Sequence, residues 1–329
     1  MIRHDRGFGF AILATLVLLA IGASVHADPV AVIASVKGKV EVTPAKSKNA
    51  VRAAFGRALE KGDKVAVGPS SSVTLFFDDG NVIELGAKSA LTVGGRISGS
   101  KGAGLPGEVY AQVSRFATAG SRQTGLVAMN EMRSGGDDSK PMLLAPRNSA
   151  VLTEAPAFSW RSVTGATRYR ITVSSGQSGE LWARELPAGK PGADVTFAYP
   201  SDAARPAADS DLLWEVQALD GTKTLRREST TAHVLTAHAR DQVRTNLDRI
   251  RASAGGDRTP AACFLAGSYL SGLGLHHEAA QQFLTLAKLS PESPAAHEAL
   301  GNVYSSIGLM DLAAVEFQQA LTLERDARP

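Results

Sequence analysis

The 329-residue chain has a single cysteine, Cys263. No intramolecular disulfide can form, so stability must come from hydrophobic cores. Cys263 lies in an apolar run, Ala261 to Leu265, and is expected to be an inert buried thiol. A charge of one sign is also missing: 35 basic residues face 32 acidic ones, for a formal charge of +3. No dense Lys/Arg stripe with interleaved aromatics occurs, so nucleic acid is not an expected partner.

Catalytic motifs are absent as well. There is no G-x-S-x-G elbow, phosphate loop or dinucleotide fingerprint. His297-Glu298 does not open a zinc-binding H-E-x-x-H, because the residue four after His297 is Gly301. His276 and His277 are adjacent and are placed at a turn, where their side chains point apart. Neither catalytic residues nor a cofactor nor a metal is expected, and the chain is read as a non-enzyme.

With 44% hydrophobic and 20% charged residues the composition is that of a soluble globular protein, and the length suggests several domains. Arg3 and Arg6 precede an apolar run from Phe8 to Gly22, and Val25-His26-Ala27 offers small residues for cleavage before Asp28. Residues 1–27 are therefore expected to be a signal peptide that sends the protein to the periplasm. A membrane anchor is the alternative if the segment stays uncleaved, although a spanning helix needs about 20 apolar residues.

Residues 62–93 alternate apolar and polar positions (Val65, Val67, Val73, Leu75, Phe77, Ile83, Leu85, Leu91, Val93) around the turn Asp78-Asp79-Gly80-Asn81. That period of two predicts antiparallel strands with a hairpin at Asp-Gly. Asp78, Asp79 and Asn81 could imitate part of a calcium loop, but the spaced acids of an EF-hand are missing, and the turn reading is preferred. They are kept as weak candidates for ligand contact.

The order Gly38-x-Val40-x-Val42, Leu59-x-x-Gly62-Asp63-x-Val65-x-x-Gly68, Leu75-x-Phe77-x-Asp79-Gly80-x-x-Ile83-x-Leu85 and Ser89-x-Leu91-x-Val93 resembles the FecR-type extracytoplasmic domain. The resemblance covers about residues 30–93 and implies a small all-β fold. Gly94 to Gly107 is Gly/Ser-rich and predicts a flexible connection. Glu108 to Phe116 alternates again and predicts a strand, which completes a domain over 28–133. Arg133 to Pro141 forms a polar linker.

A second all-β module is expected over 141–235, from short apolar runs split by Gly, Pro and Ser. Phe158-x-Trp160, Gly165-Ala166-x-x-Tyr169-x-Ile171-x-Val173 and Trp214-x-Val216 resemble fibronectin type III-like domains, which implies a β-sandwich. Trp160 and Trp214 are expected to face each other in its core. Trp182 lies on a more polar strand and is the tryptophan expected at the surface, where it could stack on a sugar.

From 237 to 254, Val243, Leu247 and Ile250 recur at helical spacing. Thereafter Thr259-Pro260 matches Ser293-Pro294, Gly267 matches Gly301, Ala279-Ala280 matches Ala313-Ala314 and Phe283 matches Phe317, a period of 34. The period and these positions resemble the tetratricopeptide repeat, with units at 259–292 and 293–326 in a region running to 329, Thr259 and Ser293 as N-caps and the 237–254 helix as cap. The fold class is thus multidomain: an all-β FecR-like domain, a β-sandwich and α-helical repeats.

The functional expectation is an exported envelope protein of Gram-negative type, serving as an interaction scaffold or ligand-sensing module with a protein partner on its C-terminal repeats. Cell-wall glycan binding through the β-modules and signal relay from an uncleaved anchor are the alternatives.

Overall fold

The computed structural model describes residues 28–94, 104–123, 141–176 and 178–326. The expected signal peptide, most of the Gly/Ser-rich connection and the 133–141 linker except its last residue lie outside them. A β-rich N-terminal region is followed by a helical C-terminal one.

Eight strands build the first unit: β1 (Ala31–Lys37), β2 (Val40–Thr43), β3 (Val51–Arg52), β4 (Ala58–Leu59), β5 (Lys64–Val67), β6 (Ser72–Phe77), β7 (Val82–Leu85) and β8 (Ala90–Thr92). They form two four-stranded sheets, ordered β4-β1-β6-β7 and β3-β2-β5-β8. The 62–93 stretch is therefore not one continuous antiparallel run: β6 and β7 pair as the expected hairpin, while β5 and β8 pair in the other sheet. Alternation records which face a strand buries but not which neighbour it joins. Val40, Val42, Val65, Val73, Leu75 and Phe77 meet between the sheets.

Residues 107–123 are helical, not a strand; this is α1 (Gly107–Gln123). Val109, Val113 and Ala117 fall four apart, so they share one helix face, and that face is buried. Alternation over Val109, Ala111 and Val113 fits a strand equally well in a short window; Ala117 continues the helical series.

The second unit contains β9 (Met142–Ala145), β10 (Ser149–Val151), β11 (Phe158–Arg161), β12 (Arg168–Ser175), β13 (Gly179–Pro187), β14 (Asp194–Phe197), β15 (Ser210–Asp220) and β16 (Lys223–Val234). A five-stranded sheet, β10-β16-β15-β12-β13, faces a three-stranded one, β14-β11-β9. Trp160 and Trp214 come from opposite sheets and are fully buried, as expected of a sandwich core. Their ring partners differ: Trp160 meets Tyr169 edge-on at 5.5 Å and Trp214 meets Phe158 at 5.1 Å.

Helix α2 (Ala237–Ser253) opens the helical region and buries Val243, Leu247 and Ile250. Two helix pairs follow, α3 (Pro260–Gly272) with α4 (His276–Leu289) and α5 (Pro294–Ser306) with α6 (Met310–Asp326). Thr259 caps α3 by accepting a hydrogen bond from the Ala262 amide at 3.1 Å. Ser293 makes no such side-chain bond, so Pro294 at the start of α5 does the terminating alone.

The units share a core. Val32, Ala34 and Phe76 leave the outer face of the β4-β1-β6-β7 sheet and join α1, α2, α3 and α4 in one apolar cluster. Both faces of β1 are therefore buried. The sandwich is docked as well: Arg147 Nε donates to the Ile307 carbonyl at 2.9 Å, and the Ala150 amide to the Gly274 carbonyl at 2.9 Å. Its 147–150 segment thus holds the turn between the helices of each pair.

Candidate functional site

The first helices of the two pairs, α3 and α5, present a common face, and α1 packs on both. Phe116 of α1 stacks on Phe283 of α4, with centroids 5.2 Å apart and planes at 20°. Gln112 lies so close to Gly272 that a β-carbon there would come within 2.5 Å of its Oε1. At its other end α1 reaches the β-unit: the Tyr110 ring meets Phe76 edge-on at 5.3 Å, and its hydroxyl donates to the Pro29 carbonyl. Burial drives the Tyr110 phenol up to about 12. A segment of the chain thus occupies the face shared by α3 and α5.

A polar cluster locks that helix. Asn246 of α2 is 2% exposed, and its Nδ2 donates to Glu108 Oε1 and, at 2.8 Å, to the Tyr269 hydroxyl. Gln242 Nε2 adds a bond to Glu108 Oε2 at 3.1 Å. Burial also raises the Tyr269 phenol. Glu108, Gln242 and Tyr269 border a cavity of about 170 Å³ between α1, α2 and α3. Asn246 was visible in the sequence as the one polar residue on the stripe Val243, Leu247, Ile250; Glu108 was not, because its partners come from distant segments.

The residues singled out in the sequence scatter. Trp182 is 5% exposed and packs against Phe158, Phe197 and Tyr199, so it is a core residue and not a sugar platform. Trp182 pairs with the buried Val173 of β12 and closes that edge of the sandwich core. Asp78 and Asp79 are exposed, but Asp79 is engaged locally: Oδ1 accepts from the Asn81 amide at 3.0 Å and Oδ2 from Asn81 Nδ2 at 2.7 Å. Gly80 has φ +85° and sits against the Leu105 backbone, so only glycine fits there. Asp63 is 6% exposed, and its carboxylate accepts from the amides of Ala45 and Glu60, a structural duty.

His276 and His277 are the first residues of α4 and not part of the turn, and burial lowers the His276 imidazole. His297 Nδ1 lies 2.7 Å from Glu316 Oε2 across the second pair. Cys263 is buried and its thiol is pushed up by that burial. Among the described residues no three His, Cys, Asp or Glu side chains gather as metal ligands, and no helix is long and apolar enough to cross a membrane.

No family model matches the chain, and no curated protein matches it. Among solved structures it is similar to the fn3 domain of human collagen alpha-1(XX) chain, at 21% identity over 32% of this chain and 94% of that one, with a TM-score of 0.22. It is also similar to a multi-domain immunophilin from Arabidopsis thaliana, at 10% identity over 54% of this chain and 97% of that one, TM-score 0.21. A β-glucuronidase from Ruminococcus gnavus matches at 9% identity over 57% of this chain, TM-score 0.22, and the chain spans only 41% of that enzyme. Another β-glucuronidase match, at 9% identity and TM-score 0.18, takes in 29% of this chain and 14% of the enzyme. Scores this low carry no argument about fold or function.

Proposed function

We propose that this protein is a non-enzymatic, exported envelope scaffold, assembled from a FecR-like domain (28–133), a fibronectin type III-like sandwich (141–235) and two tetratricopeptide units (259–292 and 293–326) capped by α2. The observation that carries the reading is the repeated crossing in the helical region. In both pairs a glycine of the first helix receives a phenylalanine of the second at the same separation. Stacked helix pairs of this kind offer extended faces for peptides and proteins. Export brings the scaffold to a periplasmic partner protein.

Helix α1 supports the same reading from within the chain. The helical region takes an amphipathic helix whose Val113 joins the apolar cluster and whose Phe116 stacks on Phe283 of α4, which is the chemistry expected of a bound partner segment.

The test is affinity capture with the full chain from an envelope extract, compared with a variant bearing Val315→Glu and Leu321→Glu. Both side chains are large, apolar and exposed on α6. A partner set recovered by the wild type and lost in the variant supports the scaffold. Identical recoveries from both proteins and from blank resin would overturn it. Retention of the full chain on purified peptidoglycan, with no protein partner, would assign it to glycan binding instead.

A further inference from the structure

The geometry points to a second binding site: the cleft between the sandwich and the start of α2 receives a carboxylate from an acidic peptide segment of a partner protein. The cleft encloses about 310 Å³ and is lined by Glu154, Arg205, Arg240, Asp241 and Arg244, among others. Those are three guanidinium groups against two carboxylates, which leaves one positive charge in excess.

The three cations are held differently. Arg240 forms the floor. Its side chain is 12% exposed, and it donates to Glu154 Oε1 at 2.7 Å and to the Leu235 carbonyl at 2.8 Å. Arg244 pairs with Asp241 one turn back along α2 at 3.2 Å, with both side chains more than half exposed, so solvent screens that pair. Arg205 has no carboxylate within ion-pairing distance among the described residues. Its guanidinium lies 4.7 Å from the Tyr199 ring centroid.

That platform is rigid. Tyr199 is 8% exposed, packs on Phe158 and Trp182, and its hydroxyl donates to the Ala204 carbonyl at 2.5 Å. Arg205 is thus a preorganised cation whose fork of N–H groups has no anionic partner. The first turn of α2 carries no acidic residue, so the positive end of the helix adds to the same field.

A guanidinium fork takes a planar carboxylate through two parallel hydrogen bonds, and the cleft is large enough to admit an acidic side chain with part of its backbone. Stacking on an aromatic face commonly adds to sugar binding, and here the ring beneath the cleft is covered by Arg205, which favours a peptide over a sugar acid. A peptide carboxylate is therefore the occupant. The cleft is separate from the helical repeats, so its failure would leave the scaffold reading standing.

The experiment is fluorescence anisotropy of the full chain with a labelled peptide of alternating glutamate and glycine, beside its glutamine counterpart. The glutamate peptide should bind and the glutamine peptide should not. Arg205→Ala should weaken binding about tenfold and Arg244→Ala about threefold, with Arg205→Lys between wild type and alanine because it keeps the charge but loses the fork. Lys223→Ala, at an exposed position on the far strand, serves as control. Absent binding, equal binding of the two peptides, or indifference to both arginine truncations would overturn the proposal. Tighter, Arg205-dependent binding of oligogalacturonate would overturn the peptide assignment.

Discussion

A β-carbon built on Gly267 would lie 2.7 Å from Cε1 of Phe283, and one built on Gly301 would lie 2.7 Å from Cε1 of Phe317. The two phenylalanines are buried at 0% and 2% exposure, so neither ring has room to swing aside. Alanine favours a helix over glycine by about 1 kcal/mol, whereas overpacking a closed core costs about 1–3 kcal/mol. Overpacking wins. Gly267→Ala and Gly301→Ala should each destabilise the full chain, read as a lower denaturant midpoint. Gly272→Ala would bring its β-carbon to 2.8 Å from Cβ of Gln112, an atom fixed by the α1 backbone, and should destabilise the α1–α3 contact in the same measurement.

Asn246 holds Glu108 and Tyr269 at once. Its replacement by alanine leaves the buried Tyr269 hydroxyl without that donor, at a cost of about 1–3 kcal/mol, while the exposed Glu108 keeps its bond from Gln242. Asn246→Asp should cost more at neutral pH, because it sets a second carboxylate beside Glu108. Chemical denaturation of the two variants at matched pH compares them.

Val113 is fully buried on the face of α1 that meets the helical region. Val113→Asp places an unpaired charge there and should release α1. Limited proteolysis should then cut near residues 104–123 in the variant at protease levels that leave the wild type intact. Equal protection of both proteins would show that α1 is held from its β-unit side alone.

Tyr110 provides an alkaline signature. Its folded value, about 12, lies above the ordinary 10.0, so the native state retains a proton that the unfolded chain gives up. Stability from this group is complete below pH 10 and is lost as pH rises towards 12. Absorbance of phenolate at high pH should show a late component that titrates together with loss of structure, and Tyr110→Phe should reduce it without abolishing it, since burial also raises the Tyr269 phenol.

Export is tested at the N-terminus. Mass spectrometry of the protein recovered from its native host should give a mature chain beginning at Asp28. A chain retaining residues 1–27 would favour an anchored relay.

Local pattern was legible where one face of one element decides the outcome. The 34-residue period, the small residues at the helix crossings, the hairpin at Asp79-Gly80 and the burial of Trp160 and Trp214 follow from period, size and turn chemistry in short windows. What failed were readings that needed a neighbour. Glu108 to Phe116 reads as a strand but folds as a helix, because nine residues fit both periods. Trp182 was placed outside because a strand's composition does not report what covers its edge.

By itself the sequence determined most of the elements and their apolar faces, α1 excepted, because these are set by residue types a few positions apart. Only the tertiary structure decided that β1 is buried on both sides, that α1 fills the face of the repeats, and that Arg205, Arg240 and Arg244 line one cleft. Each of these joins segments far apart in the chain. Their energies arise from burial and charge between surfaces that meet only after the units have docked, and no spacing along the sequence encodes that meeting.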